Sequence, residues 1–261
     1  MSIIWTGLAP HPPIIVDSVG RGRCSEVQTT IDSMHALCED LMRLQPERLI
    51  VISPHTPRPA SGIAAWFGDS ISGNFGMFGA AQTAAKLPCD QTWMQQMAQY
   101  YPRISPLYHE PLDHGAMVPI HFAHEAGWRG PTCVLGLPWE SGDALNDIAS
   151  ALKQTCNDTV RTAVVASGDM SHCLKPGAPS GFDRRGQVFD DCFVAHLKES
   201  AYKEATTIEA GLCEAACQDV IESCHIAWTA TDFADTNHHF YSYEGPFGVG
   251  YTVMRFFAES S

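Results

Sequence analysis

Short apolar runs alternate along this chain with longer stretches in which apolar residues recur every three or four positions. The clearest pair is residues 48–53, whose centre is an unbroken apolar run, and residues 25–44, where Val27, Ile31 and Met34 have helical spacing. A continuous apolar run is typical of a strand covered on both faces. Strands that alternate with helices are typical of a sheet packed between helices. The chain is therefore predicted to open as a β–α–β unit.

The same reading extends to the rest of the chain. We predict strands at residues 2–9, 48–53, 62–67, 132–137, 161–167 and 247–257. We predict helices at residues 25–44, 90–101, 118–126, 143–156, 183–200 and 208–225. No repeat, low-complexity tract or linker divides the sequence. Residues 1–261 are therefore expected to form a single α/β domain with a central mixed, mostly parallel sheet flanked by helices.

Composition excludes several classes of partner. The formal net charge is −13, and such a surface repels both nucleic-acid phosphates and anionic membranes, so we expect neither partner. The start has no signal-peptide pattern, and no apolar run approaches the roughly 18 residues of a spanning helix. We therefore expect a cytoplasmic protein whose ten cysteines are reduced and mostly buried as small apolar residues.

Three histidines share one kind of position, directly after a predicted strand and in a loop with Pro or Gly. His11 follows the first strand, His55 the second, and His172 the strand at residues 161–167. In an open α/β sheet, ligands bind beyond the carboxyl ends of the strands. These side chains are therefore expected to converge, although they are far apart in sequence.

Two further residues are candidates for the same site. His114 lies in Leu-Asp-His-Gly, which by itself could be a simple turn. Glu244 lies between aromatic residues and a Gly-Pro turn, just before the last predicted strand. With two strand-end histidines, Glu244 would complete a set of two His and one carboxylate, which suits non-haem Fe(II).

These motifs together resemble a known family. Ala-Pro-His-Pro-Pro around His11, Ser-Pro-His at His55, Leu-Asp-His-Gly at His114, Ser-Gly-Asp-Met-Ser-His ending at His172, and Glu-Gly-Pro-Phe-Gly-Val-Gly-Tyr from Glu244 occur in this order over residues 9–251. The pattern is similar to the class III, LigB-like extradiol ring-cleavage dioxygenases. The residues of these motifs are most similar to a LigB-like branch that is related to Memo-like proteins. The resemblance implies a LigB-like α/β domain with a phosphorylase/hydrolase-like core.

The resemblance also implies a role for each residue. His11, His55 and Glu244 match the metal ligands, His172 matches the active-site base, and His114 matches a second acid–base histidine. The implied cofactor is Fe(II), with Zn or Mn as alternatives in purified protein. The implied substrates are a catechol-like or aminophenol-like aromatic compound and O2. A homo-oligomer is expected, and a small partner subunit is left open because some family members use one.

Two rival functions use the same pocket. A Memo-like metal-binding or adaptor protein would lack oxygenase activity. Memo-like relatives look as if they replace the carboxylate ligand with Cys, whereas this chain has Glu244 there, which favours the oxygenase. A zinc-dependent hydrolase would use the ligands to activate water. Ring cleavage needs proton transfers, and the presence of both His114 and His172 favours the dioxygenase.

Other features of the sequence have simpler interpretations. Cys213, Cys217, Cys224 and His225 have a zinc-like spacing, but small residues on a buried helix face explain the pattern better. Residues 72–79 are rich in Gly and aromatic residues without the Lys-Ser/Thr of a phosphate loop, so we predict a flexible loop that covers the substrate.

Overall fold

The protein has ten strands and nine α-helices in the part of the chain that the computed structural model describes, residues 2–157 and 159–260. The strands are β1 Ile3–Ala9, β2 Arg48–Ile52, β3 Ile63–Trp66, β4 Ser70–Phe75, β5 Ala80–Pro88, β6 Ile104–Leu107, β7 Thr132–Leu135, β8 Thr162–Ser167, β9 His239–Glu244 and β10 Tyr251–Ala258. The helices are α1 Asp17–Gly20, α2 Gln28–Arg43, α3 Gln91–Tyr100, α4 His114–Glu125, α5 Asp143–Thr155, α6 Arg184–Lys198, α7 Tyr202–Ala205, α8 Ala210–Ala216 and α9 Ile221–Ala230.

Eight strands form one sheet in the order β6-β3-β7-β2-β8-β1-β10-β9. The central strands β7, β2, β8 and β1 are parallel neighbours, whereas β10 pairs antiparallel with both β1 and β9. Every residue of β1, β2, β7 and β8 is buried, because helices cover both faces. The predicted mixed, mostly parallel α/β sheet is confirmed.

One predicted helix is two helices. Residues 208–225 were expected to form one element, but the chain breaks at Cys217, which has the left-handed φ of 52°. The side-chain oxygen of Gln218 then accepts bonds from the amides of Val220 (2.7 Å) and Ile221 (2.9 Å) and so caps α9. The apolar periodicity hides this break because both helices bury one face. Asp219 therefore lies in a loop and not on a helix.

The predicted flexible loop at residues 72–79 is instead the end of β4 and the tip of a two-stranded hairpin. In β4 the buried Ile71, Gly73 and Phe75 alternate with more exposed residues. A Cβ on Gly73 would lie 2.6 Å from the sulfur of Met117 on α4, so glycine permits close packing of the hairpin on that helix. The tip of the hairpin is a 3₁₀ turn at Gly76–Phe78.

The helix predicted at residues 118–126 begins at His114. Asp113 is its N-cap, and its carboxylate accepts a bond from the amide of Ala116 at 3.0 Å. Proline is common in the first turn of helices, but Pro119 lies inside α4. None of the described helices combines the length and the apolar character needed to cross a bilayer.

Glu244 connects β9 to the start of α2. Its Oε1 accepts hydrogen bonds from the amide of Thr30 (2.7 Å) and from the Thr30 hydroxyl (2.6 Å). The residue before the helix, Val27, provides no side-chain cap. A carboxylate is favourable at a helix N-terminus because the first amides are unpaired and carry a partial positive charge. Glu244 therefore acts as the cap of α2 from a distant strand.

Asp190 on α6 holds the loop that carries His172. Its carboxylate accepts a bond from the amide of Ser171 (2.9 Å) and another from the hydroxyl of Tyr243 (2.8 Å). A Cβ on Gly250 would lie 2.1 Å from Asp190 Oδ2, so only glycine fits beside it. Burial raises the pKa of Asp190 from 3.8 to about 7, although both hydrogen bonds act in the opposite direction.

Replacement of Asp190 by Asn should remove a pH dependence of folding stability. Between about pH 4 and about pH 7 the folded protein keeps a proton that the unfolded chain has released, so its stability falls as pH rises. In urea unfolding, the free energy of unfolding of the wild type should fall relative to that of Asp190→Asn as the pH rises, by at most roughly 1.4 kcal/mol per pH unit. The exposed neighbour Asp191→Asn is the matched control. If the difference in free energy of unfolding between wild type and Asp190→Asn is the same at every pH in this range, the raised pKa assigned to Asp190 is contradicted.

Replacement of Glu244 by Ala should destabilise the protein by about 1–2 kcal/mol, because two hydrogen bonds at the α2 terminus are lost. Thr30→Val removes one of the two donors, so the double variant should lose less than the sum of the single variants. Glu39→Ala, on the exposed face of α2, is the control and should change stability by less than about 0.5 kcal/mol. Strict additivity of Glu244→Ala and Thr30→Val would argue against the cap.

Candidate active site

Three neighbouring parallel strands end at one place. His11 follows β1, His55 follows β2, and Asp169 follows β8, which lies between them in the sheet. The Nε2 atoms of His11 and His55 are 3.0 Å apart. Two histidines from distant parts of the sequence thus meet beyond the carboxyl ends of the strands.

The hydrogen bonds of His11 define which ring nitrogen faces the site. His11 is buried, and its Nδ1 lies 3.0 Å from the hydroxyl of Ser167. That hydroxyl donates to the carbonyl of Gly115 at 2.6 Å, so it accepts from Nδ1–H. The lone pair of neutral His11 is then on Nε2, toward His55. This is the arrangement that metal-binding histidines require.

His114 joins the two histidines from the first turn of α4. Its ring centroid is 4.0 Å from that of His55 and 5.5 Å from that of His11. The carboxylate of Asp113 fixes this approach, because it accepts hydrogen bonds from the hydroxyls of Ser53 (2.6 Å) and Thr56 (3.0 Å) on the loop after β2. The cap of α4 therefore also holds the loop that carries His55.

The carboxylate nearest to the histidine pair is Asp219. Its Oδ2 lies 3.5 Å from Nε2 of His11 and 3.3 Å from Nε2 of His55. Its Oδ1 accepts a bond from the amide of Asp169 at 2.7 Å, while the Asp169 carboxylate accepts from the amide of His11 at 2.8 Å. The loop between α8 and α9 is thereby tied to the loops after β8 and β1.

A metal ion could be held here. Each of His11, His55 and His114 offers a ligand atom, and these atoms all lie within 4.8 Å of one another. Asp219 Oδ2 lies within the same range of the Nε2 atoms of His11 and His55. Imidazole nitrogens with a nearby carboxylate oxygen are donors that suit Fe(II), Zn and Mn. The donor chemistry therefore fits a divalent transition metal.

The structure does not bring Glu244 into this group. Glu244 was predicted from the sequence as the third metal ligand, but its Oε1 is bound to Thr30 at the start of α2. Asp219 was missed because residues 208–225 have the apolar spacing of one helix. The polar pair Gln218-Asp219 within that spacing is the only sequence signal that could have indicated the break.

Charge interactions in the group are strong. Burial acts to lower the pKa of His11, but Asp169 and Asp219 outweigh it and raise the pKa to about 9. Burial acts to raise the pKa of Asp219, but His11 and His55 hold that pKa well below its usual range. Burial lowers the pKa of His114 to about 4, and the charges of His55 and His11 act in the same direction. His114 is therefore neutral at physiological pH.

His172 lies beside the group without belonging to it. Its amide donates to the carbonyl of Ala216 at 2.8 Å, which places it next to the end of α8. Its charge favours the ionised forms of Asp169 and Asp219, so it is close to both carboxylates. Its Nδ1 is buried and has no hydrogen-bond partner among the described residues. None of the described residues therefore forms a hydrogen bond with this nitrogen.

A cavity of about 540 Å³ opens onto these side chains. It is lined by His11, Pro12, Pro13, Ile14, Arg23, His55, His114, Asp169, His172, Lys175, Gly177, Pro179, Phe247, Val249 and Tyr251. The volume suits a small ligand, and mainly apolar walls with a few converging polar groups are typical of such sites. The hairpin tip also reaches the site, since the ring of Phe78 lies 5.6 Å from that of His114.

The cysteine-rich segment does not form a comparable site in the described chain. The thiols of Cys213 and Cys217 donate to the carbonyls of Ile208 and Glu214, and Cys224 is fully buried. His225 is bonded to Asn146 at 2.8 Å. Cys224 lies on a buried helix face as predicted, whereas Cys217 is the exposed residue at which α8 ends.

Comparisons with known proteins identify the family of this chain. The family model "Catalytic LigB subunit of aromatic ring-opening dioxygenase" matches residues 6–254. Protein CA_C1420 of Clostridium acetobutylicum is 28% identical over an alignment of 275 positions, which covers 100% of this chain. This chain spans only 59% of the length of that relative.

A solved structure shares the fold. The crystal structure of the uncharacterized protein JW3007 from Escherichia coli K12 matches with a TM-score of 0.61 at 12% identity. The match covers 97% of this chain and 99% of that chain. The family match includes the loops that carry His11, His55, His114, His172 and Asp219. This chain belongs to the LigB family of catalytic subunits of aromatic ring-opening dioxygenases.

Proposed function

We propose that this protein is an Fe(II)-dependent extradiol dioxygenase that opens the ring of a catechol-like or aminophenol-like aromatic compound. The observation that carries the proposal is the group of His11, His55 and His114 at the base of a small-molecule cavity, in a chain of the ring-opening dioxygenase family. An aromatic substrate and O2 are the reactants that the family implies.

We propose that His11, His55 and Asp219 hold the metal. The two Nε2 atoms and the Asp219 carboxylate lie within 3.5 Å of one another, and the three form a set of two His and one carboxylate. Asp219 then takes the position that the sequence assigned to Glu244. When bound, Fe(II) supplies the one-electron chemistry with O2 that amino-acid side chains lack.

The active-site base in this proposal is His172. It lines the cavity, where its ring can take a proton from a substrate hydroxyl. The anionic substrate that results donates electrons more readily than the neutral diol. Asp169 lines the same cavity as His172.

His114 is the second acid–base histidine in this proposal. Its low pKa keeps the ring neutral, so it can donate one hydrogen bond while accepting another. The neighbouring Phe78 is 37% exposed and covers one side of the His114 ring. We infer that His114 positions a reacting oxygen through a hydrogen bond from its ring N–H, with Phe78 packed against the edge of the ring.

A metal-dependent hydrolase is the second candidate, because the same His and Asp donors are typical zinc ligands. The two functions differ in their requirement for O2. A hydrolase turns over its substrate equally under argon and in air. A dioxygenase consumes one O2 for each ring opened and forms yellow ring-opened products.

The test of the proposal is a set of catechols and aminophenols given to anaerobically Fe(II)-loaded protein, with O2 uptake and product absorbance as readouts. His172→Phe keeps a ring of similar size and removes the nitrogens. It should bind iron like the wild type and lose about 100- to 10,000-fold in turnover, as expected for a lost acid–base group. His196→Phe, on α6 and away from the cavity lining, is the control. Near wild-type turnover by His172→Phe would overturn the role given to this residue.

A further inference from the structure

Cys217 differs from the other cysteines of the chain. All ten cysteines lie in the described residues as free thiols; six are buried, three are partly buried, and Cys217 alone is exposed. It ends α8 with a left-handed φ of 52°, a position at which glycine is the usual residue. A cysteine in this conformation is less favourable than glycine, and an exposed side chain adds little to packing. Neither the backbone nor the packing therefore accounts for a cysteine here.

The loop after α8 runs antiparallel to the loop after β8. The amide of His172 donates to the carbonyl of Ala216 at 2.8 Å, and the amide of Asp219 donates to the carbonyl of Asp169 at 3.2 Å. The residue that directly follows each partner of the first bond is a cysteine. The backbone of the two loops therefore brings two cysteines together from positions far apart in the sequence.

The thiols of these two cysteines are in contact. The side chain of Cys173 forms a hydrogen bond with the side chain of Cys217. Cys173 is only 2% exposed, its sulfur lies 3.7 Å from the carbonyl oxygen of Ser180, and its amide donates to the hydroxyl of Ser171 at 3.1 Å. An exposed sulfur therefore lies against a buried sulfur whose backbone is held in place.

A second pair of cysteines provides a comparison inside the same chain. The side chains of Cys89 and Cys133 also form a hydrogen bond with each other. Both residues are buried, and the thiol of Cys89 lies 3.7 Å from the carbonyl oxygen of Trp66. Oxidation of a thiol requires access for the oxidant, so this buried pair is protected and the pair that includes Cys217 is not.

An accessible cysteine with a second thiol beside it is the arrangement of thiol pairs that form disulfides on oxidation. Hydrogen peroxide oxidises the first thiol to a sulfenic acid and releases one water. The sulfur of the second thiol then attacks the sulfenic sulfur, the S–S bond forms, and the hydroxyl leaves as a second water. The two thiols together give up two electrons and two protons, and the peroxide takes them up as it becomes two waters.

We propose that Cys173 and Cys217 are an oxidation site, at which hydrogen peroxide converts the two thiols into a disulfide. The exposed Cys217 reacts first, and Cys173 closes the bond. The disulfide links the loop that carries His172 to the loop that carries Asp219, so these two loops become covalently joined. The proposal concerns the thiols alone, and it applies to whichever reaction the neighbouring cavity supports.

The experiment detects the disulfide directly. The whole chain is treated with a small molar excess of hydrogen peroxide, in the presence of a chelator so that trace metal does not cause unspecific oxidation. Thiol titration of the unfolded protein should give ten thiols before treatment and eight after it, and dithiothreitol should restore ten. After the remaining thiols are blocked with iodoacetamide, mass spectrometry of the digested protein should identify one cross-linked pair of peptides, which contain Cys173 and Cys217.

Variants separate the roles of the two cysteines. Cys217→Ser should keep all of its remaining thiols under the same treatment, because Cys173 is buried. Cys173→Ser should accumulate a sulfenic acid at Cys217, which dimedone traps, because no second thiol is there to close the bond. Cys213→Ser, on the same helix α8, is the matched control and should form the disulfide like the wild type. Cys89→Ser removes one thiol of the buried pair and should also form it.

Wild-type protein that keeps ten thiols, or that forms its disulfide between other cysteines or between two chains, would overturn the proposal. Oxidation of Cys217 to a sulfinic acid without a disulfide would overturn it as well, because Cys173 would then have failed to reach the sulfenic sulfur. No substrate, metal or O2 chemistry enters this test. Its failure would therefore leave the proposed dioxygenase in place, and a failure of ring opening would leave the oxidation site in place.

Discussion

A carboxylate held between two imidazoles is the interaction on which this site depends. Asp219 approaches Nε2 of both His11 and His55 within 3.5 Å, and the two Nε2 atoms are themselves 3.0 Å apart. Two imidazole nitrogens at that distance need either a shared proton or a shared cation between them. The high pKa of His11 and the low pKa of Asp219 show the proton form of this arrangement. In the proposed function a divalent ion takes the place of this proton between the same three side chains.

The rest of the structure holds these groups in place. His11, His55 and Asp169 follow the carboxyl ends of three adjacent parallel strands and therefore lie close together. The caps of the surrounding helices then connect the loops, since Asp113 bonds to the loop after β2. Asp190 supports the loop of His172 from behind. Precise placement of this kind comes from loops that are tied to rigid elements and to one another.

The sequence was sufficient to predict the central sheet and the convergence of His11 and His55. An unbroken apolar run identified β2, short β-rich runs identified the other central strands, and the positions of His11 and His55 directly after strands were enough to predict that they converge. The family motifs were equally informative, and the family model confirms the resemblance over residues 6–254. Local patterns of this kind carry information because strand burial imposes them directly.

The carboxylate could not be predicted in the same way. Glu244 has the right residue type beside a Gly-Pro turn, but only the pairing of β9 with β10 shows that it reaches Thr30. Asp219 is hidden in a helical pattern because the left-handed turn at Cys217 leaves the apolar spacing intact. The hairpin β4–β5 was missed because its glycines and aromatic residues also occur in loops. In each case the deciding contact is tertiary.

The central claim is that Asp219, and not Glu244, completes the metal site with His11 and His55. It is tested most directly by anaerobic Fe(II) titration of wild type, Asp219→Asn and Glu244→Gln, each shown to be folded by circular dichroism. Asp219→Asn keeps the shape of the side chain and removes its charge, and we expect it to bind Fe(II) at least about tenfold more weakly. Glu244→Gln should bind one Fe(II) per chain with wild-type affinity. Loss of Fe(II) from Glu244→Gln with full binding by Asp219→Asn would contradict the assignment.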